Sequence, residues 1–97
     1  MVVAALLVEL HIRDSGSLKS KRAVVRHLLD TAKRRYAVAA AEVDSQDLWQ
    51  RAGLGFAAVG ADAAHVEAIL DRVERFVWSH PEVDVLSCTR HWLELDG

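Results

Sequence analysis

The sequence predicts one α+β domain with the element order β-α-β-β-α-β. Two amphipathic stretches repeat apolar residues at spacings of three, four and seven, the signature of helices buried on one side. Four β-rich segments surround them in the order strand, helix, strand, strand, helix, strand. No linker, repeat or low-complexity run interrupts the 97 residues, which with 52% apolar content suffice for a single core. The predicted domain is therefore residues 1–97.

The elements follow in order. Val2 to Ile12 is β-rich, with polar residues only at Glu9 and His11; these share one strand face, opposite Val8, Leu10 and Ile12. Asp14-Ser15-Gly16 makes a turn, and the Ser17 hydroxyl is placed to cap an orphan N–H of a first helix. That helix is expected from about Leu18 to Arg35, with Leu18, Val25, Leu28, Leu29, Ala32 and Tyr36 on its apolar stripe. Lys33, Arg34 and Arg35 fall in its last turn, where the helix dipole favours cations. Ala37 to Val43 reads as a second strand, short in bulk because of its alanines. The polar stretch Asp44 to Arg51 leads to a third strand, Gly53 to Val59. Asp62 caps a second helix that buries Val66, Ile69, Leu70, Val73, Phe76 and Val77. Pro81 disfavours helical geometry at His80 and ends it. Val83 to Leu95 supplies the last strand.

Two right-handed crossovers of this length place both helices on one face of a four-stranded antiparallel sheet, the ferredoxin-like arrangement. The other face stays open. Val2 to Val8 is apolar at every position, which expects a central strand buried on both sides. A second subunit or a partner is then needed over the open face. A homodimer with Leu7 at its contact is the expectation.

Composition excludes several classes. No run of eighteen apolar residues exists to span a bilayer. The first ten residues have no basic n-region or small-residue cleavage site, and Glu9 interrupts them, so no secretory leader is expected. The single Cys88 cannot form an internal disulfide; as a small apolar filler in a strand it fits a reducing cytoplasm. The net charge of −2 hides a division. Residues 1–41 hold eight Lys/Arg against three Asp/Glu, and residues 42–97 hold four against eleven. A basic patch can thus attract phosphates on a mildly acidic protein.

No residue set announces a reaction, so no catalytic residue and no cofactor is expected. Glu42, Asp44 and Asp47, with His11 near them, are the carboxylates whose spacing suits a hard cation or a small ligand. Loop hydrogen bonds, caps and an ion pair with Arg51 are the more ordinary roles, since no calcium-loop or His-Glu-His pattern supports them. The five histidines include no pair at i,i+4, which argues against zinc. Gly53-Leu54-Gly55-Phe56-Ala57-Ala58-Val59 follows the third-strand motif of RNA-recognition modules in outline. Only Phe56 stands at an aromatic position and the first strand has none, so the sheet is not a base-stacking platform of that kind.

The first helix offers more. Lys19, Arg22, Arg26 and Lys33 fall within about 60° on a wheel of ~100° per residue, with Arg34 near them and Lys21 in the same segment. Such a stripe can follow a phosphate backbone without reading sequence. Charges along a helix face ordinarily do no more than solvate it, but seven Lys/Arg against one Asp is a heavy bias. Trp49, in an otherwise polar connection, either plugs the end of the core or anchors an interface.

Three segments taken in order, Ser17-Leu18-Lys19-Ser20-Lys21-Arg22, Ala41-Glu42-Val43-Asp44, and Asp47-Leu48-Trp49-Gln50-Arg51-Ala52 followed by Leu54-Gly55, resemble the YlxP-like family of bacterial proteins. The resemblance covers nearly the whole chain and implies the same ferredoxin-like fold. It carries no established activity. Members are often encoded beside genes for translation initiation and ribosome maturation, which implies an RNA- or ribosome-associated role.

The leading expectation is a non-catalytic cytoplasmic protein that contacts RNA or a ribonucleoprotein through Lys19, Lys21, Arg22, Arg26, Lys33 and Arg34. The first alternative is a homo-oligomeric interaction module using Trp49 and Leu7. The second is a ligand-binding or enzymatic domain using Glu42, Asp44 and Asp47.

Overall fold

The computed structural model describes residues 1–95. It contains β1 (Val2–Ile12), α1 (Leu18–Tyr36), β2 (Ala39–Asp44), β3 (Arg51–Gly60), α2 (Ala63–Trp78) and β4 (Val83–Glu94). The strands form one antiparallel sheet in the order β2-β3-β1-β4. Both helices cover one face, as the ferredoxin-like reading requires, and β1 is central.

Alternation in β1 and β3 decides the core. Val2, Ala4, Leu6, Val8, Leu10 and Ile12 are buried beneath the helices, as are Ala52, Leu54, Phe56 and Ala58. Val25, Leu28 and Ala32 of α1 and Val66, Leu70, Val73 and Val77 of α2 complete it. Leu18, Leu29, Tyr36, Ile69 and Phe76 are only half-buried at the flanks of the helix stripes. Phe56 thus lies on the covered face, so even the one aromatic of the third-strand motif is withdrawn from any base.

Both predicted caps form. Ser17 accepts a hydrogen bond from Ser20 N at 3.1 Å, and Asp62 accepts one from His65 N at 2.9 Å. Helix α1 ends one residue later than expected. Ala37 is not strand but a left-handed cap with φ 54°, and β2 begins only at Ala39. A non-glycine residue in that region is uncommon, and Ala, with the smallest side chain after Gly, fits there at modest cost. Strand β3 starts earlier than expected, at Arg51, because Arg51 and Ala52 continue the pairing with His11 and Leu10.

The open face carries Val3, Ala5, Leu7, Glu9 and His11 from β1, with Arg51, Gly53, Gly55, Ala57 and Val59 from β3. Two bulges shape its edges: Val43 is an extra residue in β2, and Leu86 in β4. The first bulge explains a glycine. A Cβ on Gly53 would come within 2.7 Å of Asp44 Cβ and 2.9 Å of Glu9 Oε1, so no larger residue fits unless the strand moves. No helix among the described residues is long and apolar enough to cross a membrane.

Candidate nucleic-acid interface

Helix α1 begins at its Ser17 cap with one turn already committed to the interior. Lys21 is 1% exposed. Its Nζ donates to Ser45 O at 2.6 Å and Gln46 O at 3.3 Å, and lies 2.9 Å from Glu42 Oε2. Two carbonyl acceptors and one carboxylate counter-charge around the ammonium make this burial tolerable, because a buried charge must be both paired and hydrogen-bonded. Lys21 is therefore not a phosphate contact, and the expectation for it fails. Its spacing held the signal: Lys21 precedes Val25, Leu28 and Ala32 by four, seven and eleven residues, which puts it on the apolar stripe.

The lysine also joins the first two of the segments that carry the family resemblance, and the two residues that lead into the third. It reaches from the start of α1 to Glu42 of β2 and to the first residues of the β2–β3 connection. The expected carboxylate cluster is dismantled by the same geometry. Glu42 faces the helices opposite Leu54, whereas Asp44 sits on the other face opposite Gly53 and accepts from Ser45 N at 2.8 Å. Asp47 lies exposed in the connection. A sheet separates the first two, so Glu42, Asp44 and Asp47 do not converge on one ligand. Among the described residues no three His, Cys, Asp or Glu side chains gather as a metal site. Arg51 makes no ion pair among the described residues. His11 instead bonds Asp84, Nδ1 to Oδ2 at 3.3 Å, beside Arg13, whose Nε donates to Asp84 at 2.9 Å. The hydrogen bonds from Arg13 and then His11 hold the Asp84 carboxyl below the usual carboxylate range.

The remaining predicted cations are surface groups. Lys19, Arg22, Arg26, Lys33 and Arg34 are all exposed. None has a carboxylate within ion-pair distance among the described residues. Elsewhere the contrast is plain: Arg13 is held by Asp84, and Arg90 by Asp71 at 2.8 Å and Glu74 at 3.6 Å. The five uncompensated charges run from the first to the last turn of a 19-residue helix, a span of about 21 Å between residues 19 and 33 at ~1.5 Å per residue.

Trp49 is 54% exposed and does not plug the core. It lines an open groove of about 470 Å³ formed by Asp47 to Arg51. Leu7 is half-buried on the open sheet face. Cys88 is exposed and not a core filler, because the face of β4 toward α2 is only partly covered. Burial against α2 and the neighbouring Glu74 carboxylate push its thiol up to about 11. Alkylation at pH 8 is expected to run roughly ten- to twentyfold slower than at an ordinary exposed thiol: the thiolate is scarcer by about two hundredfold, while its higher basicity restores about tenfold. Iodoacetamide kinetics followed by mass spectrometry check this, and an ordinary rate would contradict the assignment.

The family model described as "Protein of unknown function (DUF503)" matches residues 3–90. The chain is also 38% identical over 81 residues to the uncharacterized protein YlxP of Bacillus subtilis (strain 168), covering 84% of this chain and 88% of that protein. The matched span runs from β1 into β4 and takes in the buried Lys21, the Glu42 strand and the Trp49 connection, so the protein belongs to the DUF503 family.

Proposed function

We propose that this protein is a cytoplasmic, non-catalytic RNA- or ribonucleoprotein-associated factor whose α1 face contacts phosphate. The carrying observation is that Lys19, Arg22, Arg26, Lys33 and Arg34 are exposed and uncompensated, while Arg13 and Arg90 are neutralised in place. A helix presenting charge along most of its length suits a backbone track and offers no base-reading groups, so affinity without strict sequence preference is expected. The lone exposed thiol agrees with a reducing compartment.

The test is binding to structured RNA at increasing salt, with nuclease-treated and untreated affinity purification from cells beside it. Five phosphate contacts give a log–log slope of roughly −3.5 to −4.5, a loss of about 100- to 500-fold between 50 and 200 mM salt. Salt-independent binding, or partners unchanged by nuclease, would count against the proposal.

A second reading rests on a different observation. Val43, Val59 and Leu93 of the open sheet face are each more than half exposed, and Val3, Ala5, Leu7 and Ala57 join them into one apolar surface. In this reading a second copy covers that face, with Leu7 central and Trp49 at its end. Leu7→Glu should then convert a dimer to monomer in sedimentation at micromolar concentration while changing monomer stability by less than ~1.5 kcal/mol. A wild-type chain that sediments as a monomer at about 100 µM removes this reading.

A further inference from the structure

The α1 stripe is not the protein's only uncompensated cationic surface. Where the last turn of α1 meets α2, a cleft of about 390 Å³ is lined by Arg35, Tyr36, Arg72, Arg75, Phe76 and Ser79. No acidic residue lines it among the described residues. All three arginines are exposed, and none has a carboxylate within ion-pair distance among the described residues. Two of the three acids of α2 are committed elsewhere, and the third, Glu67, lies ~140° from Arg72 on the helical wheel. Arg72, Arg75 and Phe76 fall within ~100° on the side toward α1; Asp71, one turn before Arg75, is turned instead to Arg90 of β4, as is Glu74.

The floor of the cleft is aromatic. The Tyr36 and Phe76 rings lie 5.9 Å apart at 52°, and the Arg35 guanidinium sits 5.3 Å from the first ring centre and 5.9 Å from the second. This double cation–π contact restrains Arg35 at small cost and leaves its N–H donors without a protein acceptor among the described residues. The helix ends nearby contribute only about half a negative charge each, less than three full positive charges. Dipole compensation accounts for Arg35 and Arg75 in last turns but not for Arg72, which lies further back in α2. Guanidinium groups match phosphate oxygens in paired, planar hydrogen bonds. The cleft volume lies at the lower end of the range typical of small-molecule sites, about 300–1,000 Å³.

We propose that Arg35, Arg72 and Arg75 form a nucleotide site, in which the guanidinium groups take the phosphates and the base lies against the Tyr36–Phe76 floor. The nucleotide is either free or the 5′ end of a strand. The site is separate from the α1 stripe: on a wheel of ~100° per residue, Arg35 lies on the opposite flank of the apolar stripe from Lys19, Arg22, Arg26 and Lys33.

The experiment titrates the full-length protein with ADP, with inorganic pyrophosphate, and with two short RNA oligomers that differ only in a 5′-phosphate. Calorimetry gives affinity, and nitrogen-15 spectra of the arginine Nε groups locate it. The expected result is binding of ADP or of the 5′-phosphorylated strand tighter than about 1 mM, at least fivefold tighter than pyrophosphate, with shifts at the cleft arginines. Whichever of the two binds identifies the source. Arg72→Ala/Arg75→Ala, both exposed and outside the core, should weaken it at least tenfold with an unchanged melting temperature. Charge reversal at Lys19, Arg22 and Arg26 should leave the ADP affinity, and the ratio of affinities of the two RNA oligomers, within twofold, which separates the fate of the site from that of the α1 proposal. Pyrophosphate binding as well as ADP would overturn the nucleotide assignment. So would binding unaffected by the double substitution, or no binding of any probe.

Discussion

Replacing Lys21 by alanine should destabilise the protein by about 3 kcal/mol or more, the largest expected effect of any single charged-residue substitution here. The lysine looks like one more cation of a basic helix, but its side chain is 1% exposed and satisfies Ser45 O and Gln46 O beside Glu42. Alanine would leave a hole the size of three carbon atoms and the ammonium nitrogen, and a carboxylate, itself mostly buried, without its counter-charge. Two effects add: lost packing, and an uncompensated Glu42. For a domain of this size the melting temperature should fall by roughly 12–24 °C. The double variant Lys21→Leu/Glu42→Leu should recover most of the loss, since an apolar pair of similar volume often replaces a buried ion pair at little net cost. Ser45 is half-buried and Gln46 exposed, so their carbonyls are expected to find water in place of the ammonium. Urea unfolding of the two variants checks both statements. A single-variant loss below ~1 kcal/mol would show that Lys21 is not the anchor described, and a double variant no better than the single would show that Glu42 is not what suffers.

Reversing four charges on α1 (Lys19→Glu, Arg22→Glu, Arg26→Glu and Lys33→Glu) should reduce affinity for structured RNA at least a hundredfold at moderate salt. The change removes four phosphate contacts and introduces four repulsions, while none of these side chains has an ion-pair partner to lose among the described residues. Stability should move by no more than about 1 kcal/mol, the scale of exposed charges and of a glutamate set against the dipole in the last turn. The comparison with Lys21→Ala is informative because the two effects are opposite in kind. One costs folding through a single buried cation, and the other costs binding through four exposed ones. RNA or ribosome association that survives the fourfold reversal would end the nucleic-acid proposal.

The helices and strands were legible because each is locally consistent. Ser17 and Asp62 cap where side chains of their type cap, Pro81 stops α2, and the even-numbered residues of β1 face the core as strand alternation requires. The basic stripe was equally legible, since exposure of Lys19, Arg22, Arg26, Lys33 and Arg34 follows from helical spacing alone. The cleft of Arg35, Arg72 and Arg75 was not, because its two halves lie more than thirty residues apart and meet only when α1 packs on α2.

The sequence by itself determined the order of elements, the ferredoxin-like topology, the central place of β1 and the identity of most core residues. These depend on periodicity, caps and turn chemistry, all of which act over a few residues. Only the tertiary structure decided which polar groups meet. It turned Lys21 inward and gave it Glu42 as a partner, and it put Glu42 and Asp44 on opposite faces through the Val43 bulge. It also exposed Trp49 and Cys88, both of which the sequence left compatible with burial. The reason is physical: a hydrophobic residue gains from any apolar surroundings, but a charge is stabilised by particular atoms at about 3 Å, and those atoms are brought there by residues distant in the chain.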